Sequence, residues 1–266
     1  MIQLQYKSLS GGVLVKISGI IAEYNPFHNG HLHHIKETKR NTGADAIVCV
    51  MSGNFVQRGA PAVFDKWTRT SHALKNGVDL VIELPLEFSM ASAERFAYGG
   101  VYLLNAINAD YISFGAESSK EEIINAYEKI KKIDLSELKS TLKEGVSFAT
   151  ARQHIADTDV LESPNNILAL EYLKAIEKTN SKIVPNFVKR CTSDYNSNIL
   201  DGISASAKAI RNAVNENKDI SDFVPGNTLY AYDNFIGIVW LVLLTYTPAT
   251  EVQWQSSIFN GSVISI

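Results

Sequence analysis

The sequence predicts an α/β protein, a doubly wound parallel sheet followed by a mostly helical C-terminal part. Two observations carry that prediction. Short apolar, β-branched runs of strand length recur at Ile17 to Ala22, Ala46 to Met51, Asp79 to Leu84 and Asp110 to Phe114, each bounded by turn residues. Longer stretches with helical spacing lie between them, at Gly30 to Arg40, Lys66 to Asn76 and Ala91 to Asn105. Repeated strand, helix, strand order lays the strands parallel with helices over both faces.

Each helix has a stop signal. Gly43, Gly77 and Asn108 stand just past the three helical stretches, where a residue tolerant of left-handed backbone ends a helix. After Ser119 the pattern turns mostly helical: Lys120 to Lys132, Leu135 to Glu144, Thr150 to Ala156, and Pro164 to Lys178. The last of these opens with Ser163 as N-cap and Pro164 next. A strand-like piece, Lys182 to Val188, returns the chain to the sheet. The Ser-rich turn Ile203 to Ser206 then leads into a helix from Ala207 to about Asn215. Ligand crevices in such sheets lie beyond the carboxyl ends of the strands. The loops to search are therefore Glu23 to Asn29, Ser52 to Asp65, Pro85 to Ser89 and Gly115 to Ser118.

Composition narrows the function classes. With 266 residues, 45% of them hydrophobic, the chain is long enough for one or two globular domains. A net charge of −3 argues against coating nucleic acid through bulk charge, so any RNA contact must be a local basic face. Cys49, inside the apolar run Ala46 to Met51, reads as a reduced core thiol, far from Cys191. Met1 to Lys16 lacks the pattern of a secretion signal, and a cytoplasmic protein is expected. Between Asn234 and Ile266 the only charged residue is Glu251. The apolar core of that stretch, Phe235 to Leu244, is shorter than the roughly 20 residues of a membrane span. A buried helix or strand, the start of a truncated domain, or an altered sequence would each account for it. Residues before the first strand read as a disordered tail.

The densest chemical signal is Glu23-Tyr24-Asn25-Pro26-Phe27-His28-Asn29-Gly30-His31, directly after the first strand and opening a helix. Four of the six histidines, His28, His31, His33 and His34, fall in this short region. A helix N-terminus presents unpaired N–H groups and a positive dipole end, which suits a phosphate chain. Two imidazoles three residues apart there can donate to one polyphosphate and stabilise charge that builds as it breaks. Gly30 leaves room for a base or ribose against the backbone. The chemistry implied is attack on the α-phosphate of a nucleotide. A zinc site would need further ligands that no Cys or second His cluster supplies, and no metal ligands are assigned. Structural histidines would explain one or two of the four, and neither a P-loop nor a dinucleotide fingerprint is present.

His28-Asn29-Gly30-His31 resembles the His-x-Gly-His signature of the nucleotidyltransferase and class I aminoacyl-tRNA synthetase superfamily. The longer strings Gly19 to His34, Met51 to Pro61, Lys66 to Thr70 and Asp79 to Pro85 resemble one family within it, the bacterial tRNA(Met) cytidine acetate ligases. The similarity runs from about Lys16 to Tyr230. It implies a nucleotidyltransferase-like Rossmannoid fold and an enzyme that joins acetate to ATP. The acetyl group would then pass to N4 of the wobble cytidine in elongator tRNA(Met). ATP, acetate and that tRNA are the expected partners, with magnesium accompanying ATP, and neither DNA nor membrane.

The resemblance also implies site residues. The nucleotide-binding stretch would be Ile21, Ala22, Glu23, Tyr24, Asn25, Pro26, Phe27, His28, Asn29, Gly30, His31, Leu32, His33 and His34, with His28 and His31 catalytic. Gly115, at the exit of the fourth strand, Asn166 and Arg190 match further ATP-contacting positions. Without the resemblance, Gly115 reads as a turn glycine and Asn166 as a capping or surface residue. Arg190 could clamp pyrophosphate as a fork. The turn Ile203-Ser204-Ala205-Ser206 with Arg211 is similar to the superfamily's second signature, loosened by Ala205; its plain reading is an N-cap serine and a solvated arginine. Gln57, Arg58, Asp65, Lys66 and Arg69 cluster near the second strand's end. Lys66 and Arg69 could guide acetate or tRNA phosphates, or lie on a solvated helix face. Glu83 and Glu87 could line the crevice, hold magnesium through water, or simply end a strand.

The expected organisation is an N-terminal extension over 1–15, an ATP-binding domain over 16–215 with a helical insertion at about 119–180, and a truncated C-terminal region from 216. Two other functions fit the residues: an adenylyltransferase for a phosphorylated cofactor precursor, and an ATP-binding module without turnover.

Overall fold

The computed structural model describes residues 15–57, 59–146, 148–190, 205–233 and 263–264. Strand β1 (Ile17–Ala22) leads through a loop to α1 (Asn29–Thr42), β2 (Ala46–Ser52), α2 (Lys66–Lys75) and β3 (Leu80–Leu84). A single turn, α3 (Leu86–Ser89), and α4 (Ala93–Ala106) carry the chain to β4 (Tyr111–Ala116). The helical segment comprises α5 (Lys120–Lys131), α6 (Leu135–Leu142), α7 (Phe148–Ala156) and α8 (Pro164–Lys178). Strand β5 (Val184–Lys189), α9 (Ala207–Asn215), α10 (Tyr230–Asp233) and the two-residue β6 (Val263–Ile264) complete the described elements.

The strand order is β5-β4-β1-β2-β3-β6, and every neighbouring pair is parallel. Strands β1 to β3 build outward one way, and β4 and β5 the other. The order therefore reverses between β1 and β4, the switch point at which sheets of this kind place their ligands. Helix α1 begins there.

Both faces of the central sheet are buried, so β2 is apolar at successive positions and not alternating, while the outer β5 is only partly buried. On β2, Ile47, Cys49 and Met51 pack with Ile20, Ile35 of α1 and Ala73 of α2. Val48 and Val50 of the same strand join Phe96, Val101 and Leu104 of α4 and Leu170 of α8 on the other face. Cys49 is a fully buried thiol, as its apolar setting predicts. A third cluster, around Ala209, Ile210, Ile220 and Val224, gathers α9 and the segment after it. Gly43 and Asn108 end their helices with φ of 61° and 54°, the left-handed stop that their positions predict.

Four expectations are corrected. Gly115 lies inside β4 and not in its exit loop, because Gly115 and Ala116 still pair with Val188 and Lys189 of β5; a parallel partner extends a strand through a residue that locally favours a turn. For its part, β5 starts at Val184 instead of Lys182. The short α3 follows Pro85, whose carbonyl accepts from Phe88 N and Ser89 N. Ser163 precedes α8 but makes no side-chain capping bond. Met1 to Leu14, Arg58, Cys191, Ile203, Ser204 and Phe235 to Leu244 lie outside the described residues. No helix among the described residues is long and apolar enough to cross a membrane.

The α4 face packs closely because Gly19 of β1 has no side chain: a Cβ there would collide with Leu104. Leu104→Ala is expected to cost about 2–5 kcal/mol and Gly19→Ala about 1–3 kcal/mol. The double variant should be destabilised by less than their sum, since one substitution vacates the space the other fills. Urea unfolding of the four proteins measures this, and strict additivity would contradict the packing.

Candidate functional site

Helix α1 leaves its first N–H groups open at the switch point, and histidines satisfy them. His28 is the N-cap in extended backbone, and its Nδ1 accepts from Gly30 N at 3.0 Å. His31, at the third helical position, returns the bond: its Nδ1 accepts from His28 N at 3.3 Å. This is a capping box built from imidazoles where hydroxyl and carboxylate groups usually serve. It stacks the two rings with centroids 3.7 Å apart.

Those bonds also fix where the protons sit. A neutral imidazole whose Nδ1 accepts carries its hydrogen on Nε2. Burial, reinforced by the Arg190 and Arg211 guanidinium charges, pulls the His28 pKa down to about 3. Burial and then the neighbouring His28 and Arg190 hold His31 well below the ordinary histidine range. Both are neutral near pH 7, each with its hydrogen on Nε2.

His34, one turn further, rests on a hydroxyl network. Its Nε2 lies 3.1 Å from Ser113 Oγ of β4. Ser113 Oγ also meets Thr38 Oγ1 at 2.7 Å and accepts from Asn186 Nδ2 of β5 at 2.9 Å. Thr38 Oγ1 donates to His34 O at 2.8 Å. Burial and Arg190 lower the His34 pKa to about 4. Thr38, Ser113 and Asn186 were not singled out from sequence. Thr38 stands four residues after His34, and that spacing on one helix face was the available signal.

The structure brings His28, His31 and His34 together at the start of α1, where the Arg190 charge acts on all three and the Arg211 charge on His28. Arg190 leaves β5 beside Gly115, whose missing side chain gives it room, and its Nε faces Glu117 Oε1 at 3.4 Å. Arg211 donates to Asn25 O at 2.6 Å. It is thus bound to the loop after β1, not solvated, while Ser206 caps α9 by accepting from Ala209 N. Asn29 is tied to the segment after α9, through Asn29 N to Phe223 O at 2.9 Å and Nδ2 to Asp222 O at 2.8 Å.

The remaining members of the stretch have plain positions. Ile21 touches α4 at Gly100, Ala22 ends β1, and Tyr24, Asn25, Pro26 and Phe27 are buried. Asn25 Oδ1 accepts from Val63 N at 2.8 Å, and Glu23 Oε1 from Gln57 N at 2.8 Å, binding the first two loops together. Leu32 packs beneath with the α1 cluster, and His33 is exposed. Asn166 is neither a surface residue nor a cap. It is buried, accepts from Glu117 N and Ser118 N, and donates to Ser118 Oγ, bracing the exit of β4.

Arg69 overturns both readings made for it. It is fully buried, with its guanidinium directed at backbone carbonyls, so it neither guides anions nor lies on a solvated face. Lys66 pairs with Glu83 at 2.6 Å beside Gly53.

The lowered histidine pKa values set the sign of an acid response. Unfolded histidines bind protons below about pH 6.5, whereas folded His28 and His34 resist until about 3 and 4. Stability is therefore complete above that range and lost as pH falls through it. Unfolding free energy should drop between pH 7.5 and 5, and by less in His34→Gln. Urea titrations at the two pH values test this; an equal drop in variant and parent would contradict it.

Comparison with known proteins agrees with this geometry. Residues 15–252 match the family model described as HIGH Nucleotidyl Transferase. The chain is 46% identical over 239 residues to a tRNA(Met) cytidine acetate ligase of Clostridium novyi (strain NT), across 83% of this chain and 60% of that protein. It is 47% identical over 227 residues to the Clostridium acetobutylicum protein of the same name, across 78% and 56%. The crystal structure of Thermotoga maritima TmcAL (apo, form I) superposes with a TM-score of 0.76 at 33% identity, covering 82% of this chain and 56% of that one. The form of TmcAL bound with alpha-thio ATP gives 0.72 at 34% identity. The chain thus spans about 60% of the first of these relatives. With a parallel sheet, a histidine-capped helix at its switch point and a family model spanning most of its length, this chain belongs to the HIGH nucleotidyl transferase family, and its relatives there are tRNA(Met) cytidine acetate ligases.

Proposed function

We propose that the protein activates acetate with ATP and transfers the acetyl group to N4 of the wobble cytidine in elongator tRNA(Met). The observation that carries this reading is the pair of neutral histidines that cap the N-terminus of α1, each with its hydrogen on Nε2, with the Arg190 charge near both and Arg211 near His28. The similarity to named ligases and to an ATP-analogue-bound relative supports the choice of reaction.

An acetate oxygen attacks the α-phosphorus of ATP, the bond to the β-phosphate breaks, and pyrophosphate leaves. His28 and His31 donate through Nε2 to phosphate oxygens whose charge rises in that step. Donors already oriented in a water-poor site stabilise it most. Arg190, held on Glu117, and Arg211, held on Asn25, offset the charge of the leaving group. The cytosine amine then attacks the acetyl carbon, AMP departs, and the amine loses a proton. The rest of the nucleotide stretch from Ile21, with Gly115 inside β4 and Asn166 of α8 bracing the residues after it, would border the bound nucleotide.

Magnesium would arrive on the triphosphate, where it needs few protein ligands. There it would neutralise phosphate charge. A tRNA substrate would have the protein work in the cytoplasm.

His28→Asn separates chemistry from folding, because asparagine is itself a favoured N-cap but lacks the Nε2–H donor. It should hold stability within about 1 kcal/mol while acetate-dependent ATP–pyrophosphate exchange falls about 10²–10³-fold. Unchanged exchange would remove the histidine from the mechanism. Exchange in the parent protein without acetate, given a phosphoester acceptor, would favour an adenylyltransferase; ATP binding with no exchange would favour a module without turnover.

A further inference from the structure

We propose that Arg69 is a positioning residue for the reacting centre, acting through Tyr24 on the His31 imidazole. The proposal rests on His31 being a phosphate donor. Arg69 lies on α2 and is fully buried. Its Nη1 donates to Glu23 O at 2.7 Å and Ser52 O at 3.0 Å, its Nε to Phe64 O at 3.0 Å, and its Nη2 to Gly53 O. One rigid fork thus ties the loop after β1 to the end of β2 and to the approach to α2. A lysine, a point charge with no fork, cannot hold that set.

Tyr24 converts this anchoring into a contact with His31. Its backbone is left-handed, φ 47°, a conformation that a bulky residue adopts only where its surroundings enforce it. The enforcement is visible. The carbonyl before Tyr24, Glu23 O, is held by Arg69, and the carbonyl after it, Asn25 O, is held by Arg211. So bracketed, the buried Tyr24 ring stands edge-on to His31 and to Phe27, with centroids 4.8 Å away in each case. His31 is held from the helix side by one hydrogen bond at Nδ1 and by the His28 ring, and from the loop side by the Tyr24 ring at 4.8 Å and by Phe27 at 5.6 Å. Without the Tyr24 ring the loop side is left to the more distant Phe27, and the imidazole can turn and carry its Nε2–H off line.

The charge of Arg69 is kept for this task. Burial lowers its pKa to about 10, against the opposing pull of Glu23, Asp65 and Glu83, so it stays protonated at neutral pH. The carbonyl bonds do not reach the nucleotide-facing arginines, so affinity for ATP should depend little on Arg69.

The test compares Arg69→Lys, Tyr24→Phe, Tyr24→Leu and the Arg69→Lys/Tyr24→Leu double variant. Three quantities are measured: ATP affinity, acetate-dependent exchange, and the imidazole nitrogen signals of His31 by ¹⁵N NMR. Arg69→Lys should leave ATP affinity within about threefold and lower exchange turnover about 10–100-fold, the scale of a misplaced reacting group. His31 should lose its single Nε2–H signature while His28 keeps its own. Tyr24→Leu should do the same, Tyr24→Phe, which keeps the ring, should keep the single Nε2–H signature of His31, and the double variant should be no worse than the more severe single, because both act through one contact. Lower thermal stability in Arg69→Lys with parental turnover and His31 signals would overturn the proposal, as would multiplying effects in the double variant. If Arg69→Lys does not fold, parental His31 signals in Tyr24→Leu would overturn it alone. Absence of acetate-dependent exchange in the parent would instead count against the reaction, and the His31 signals would still decide the coupling.

Discussion

The site depends on how one helix end is closed. An α-helix that begins at the switch point of a parallel sheet must satisfy its first N–H groups locally or leave them to solvent and ligand. A serine cap would have closed α1 equally well and offered nothing further. Imidazole closes it with one nitrogen and keeps a hydrogen on the other, so under the proposed reaction a single cap would serve folding and chemistry together. The spacing of three follows from this, because the N-cap and the third helical position are the two that exchange bonds across the first turn.

The cap works only if its surroundings stay put, and these come from far along the chain. Asn29 is bonded to Asp222 and Phe223, Asn25 to Arg211, and His34 to Ser113 and through it to Asn186. Helix α9 and the segment after it are small by themselves, with a core of six buried residues. Their place in the molecule is to lie across the start of α1. Two faces of packed sheet supply rigidity underneath, and the returning segment supplies closure above.

How much of this is legible in the sequence depends on the range of each interaction. The first four strands, the helices between them and the histidine cluster are local patterns, and all are readable from periodicity, stop residues and composition. The boundary of β4 is not, because Gly115 is kept in the strand by pairing with a β5 residue over seventy positions away. Asn166 and Arg69 show the same limit more sharply. Each is a polar residue on a helix, which composition alone assigns to the surface. What puts them inside is a set of backbone groups left open by loops elsewhere: two N–H groups after β4 for Asn166, and four carbonyls for Arg69. A buried polar side chain is specified by its partners, and those partners are not its neighbours in sequence.

The Ser113 network has a direction. Thr38 gives its hydrogen to the His34 carbonyl and the Asn186 amide can only donate at Nδ2. Ser113 must then give its own hydrogen to Thr38 and accept from both Asn186 and His34, which fills every position a hydroxyl has. No hydrogen in the chain can move without breaking a bond at its far end, one that terminates on a backbone carbonyl. Such an arrangement conducts no protons. The layer beneath His34 therefore fixes that ring in one orientation and offers no proton path of its own.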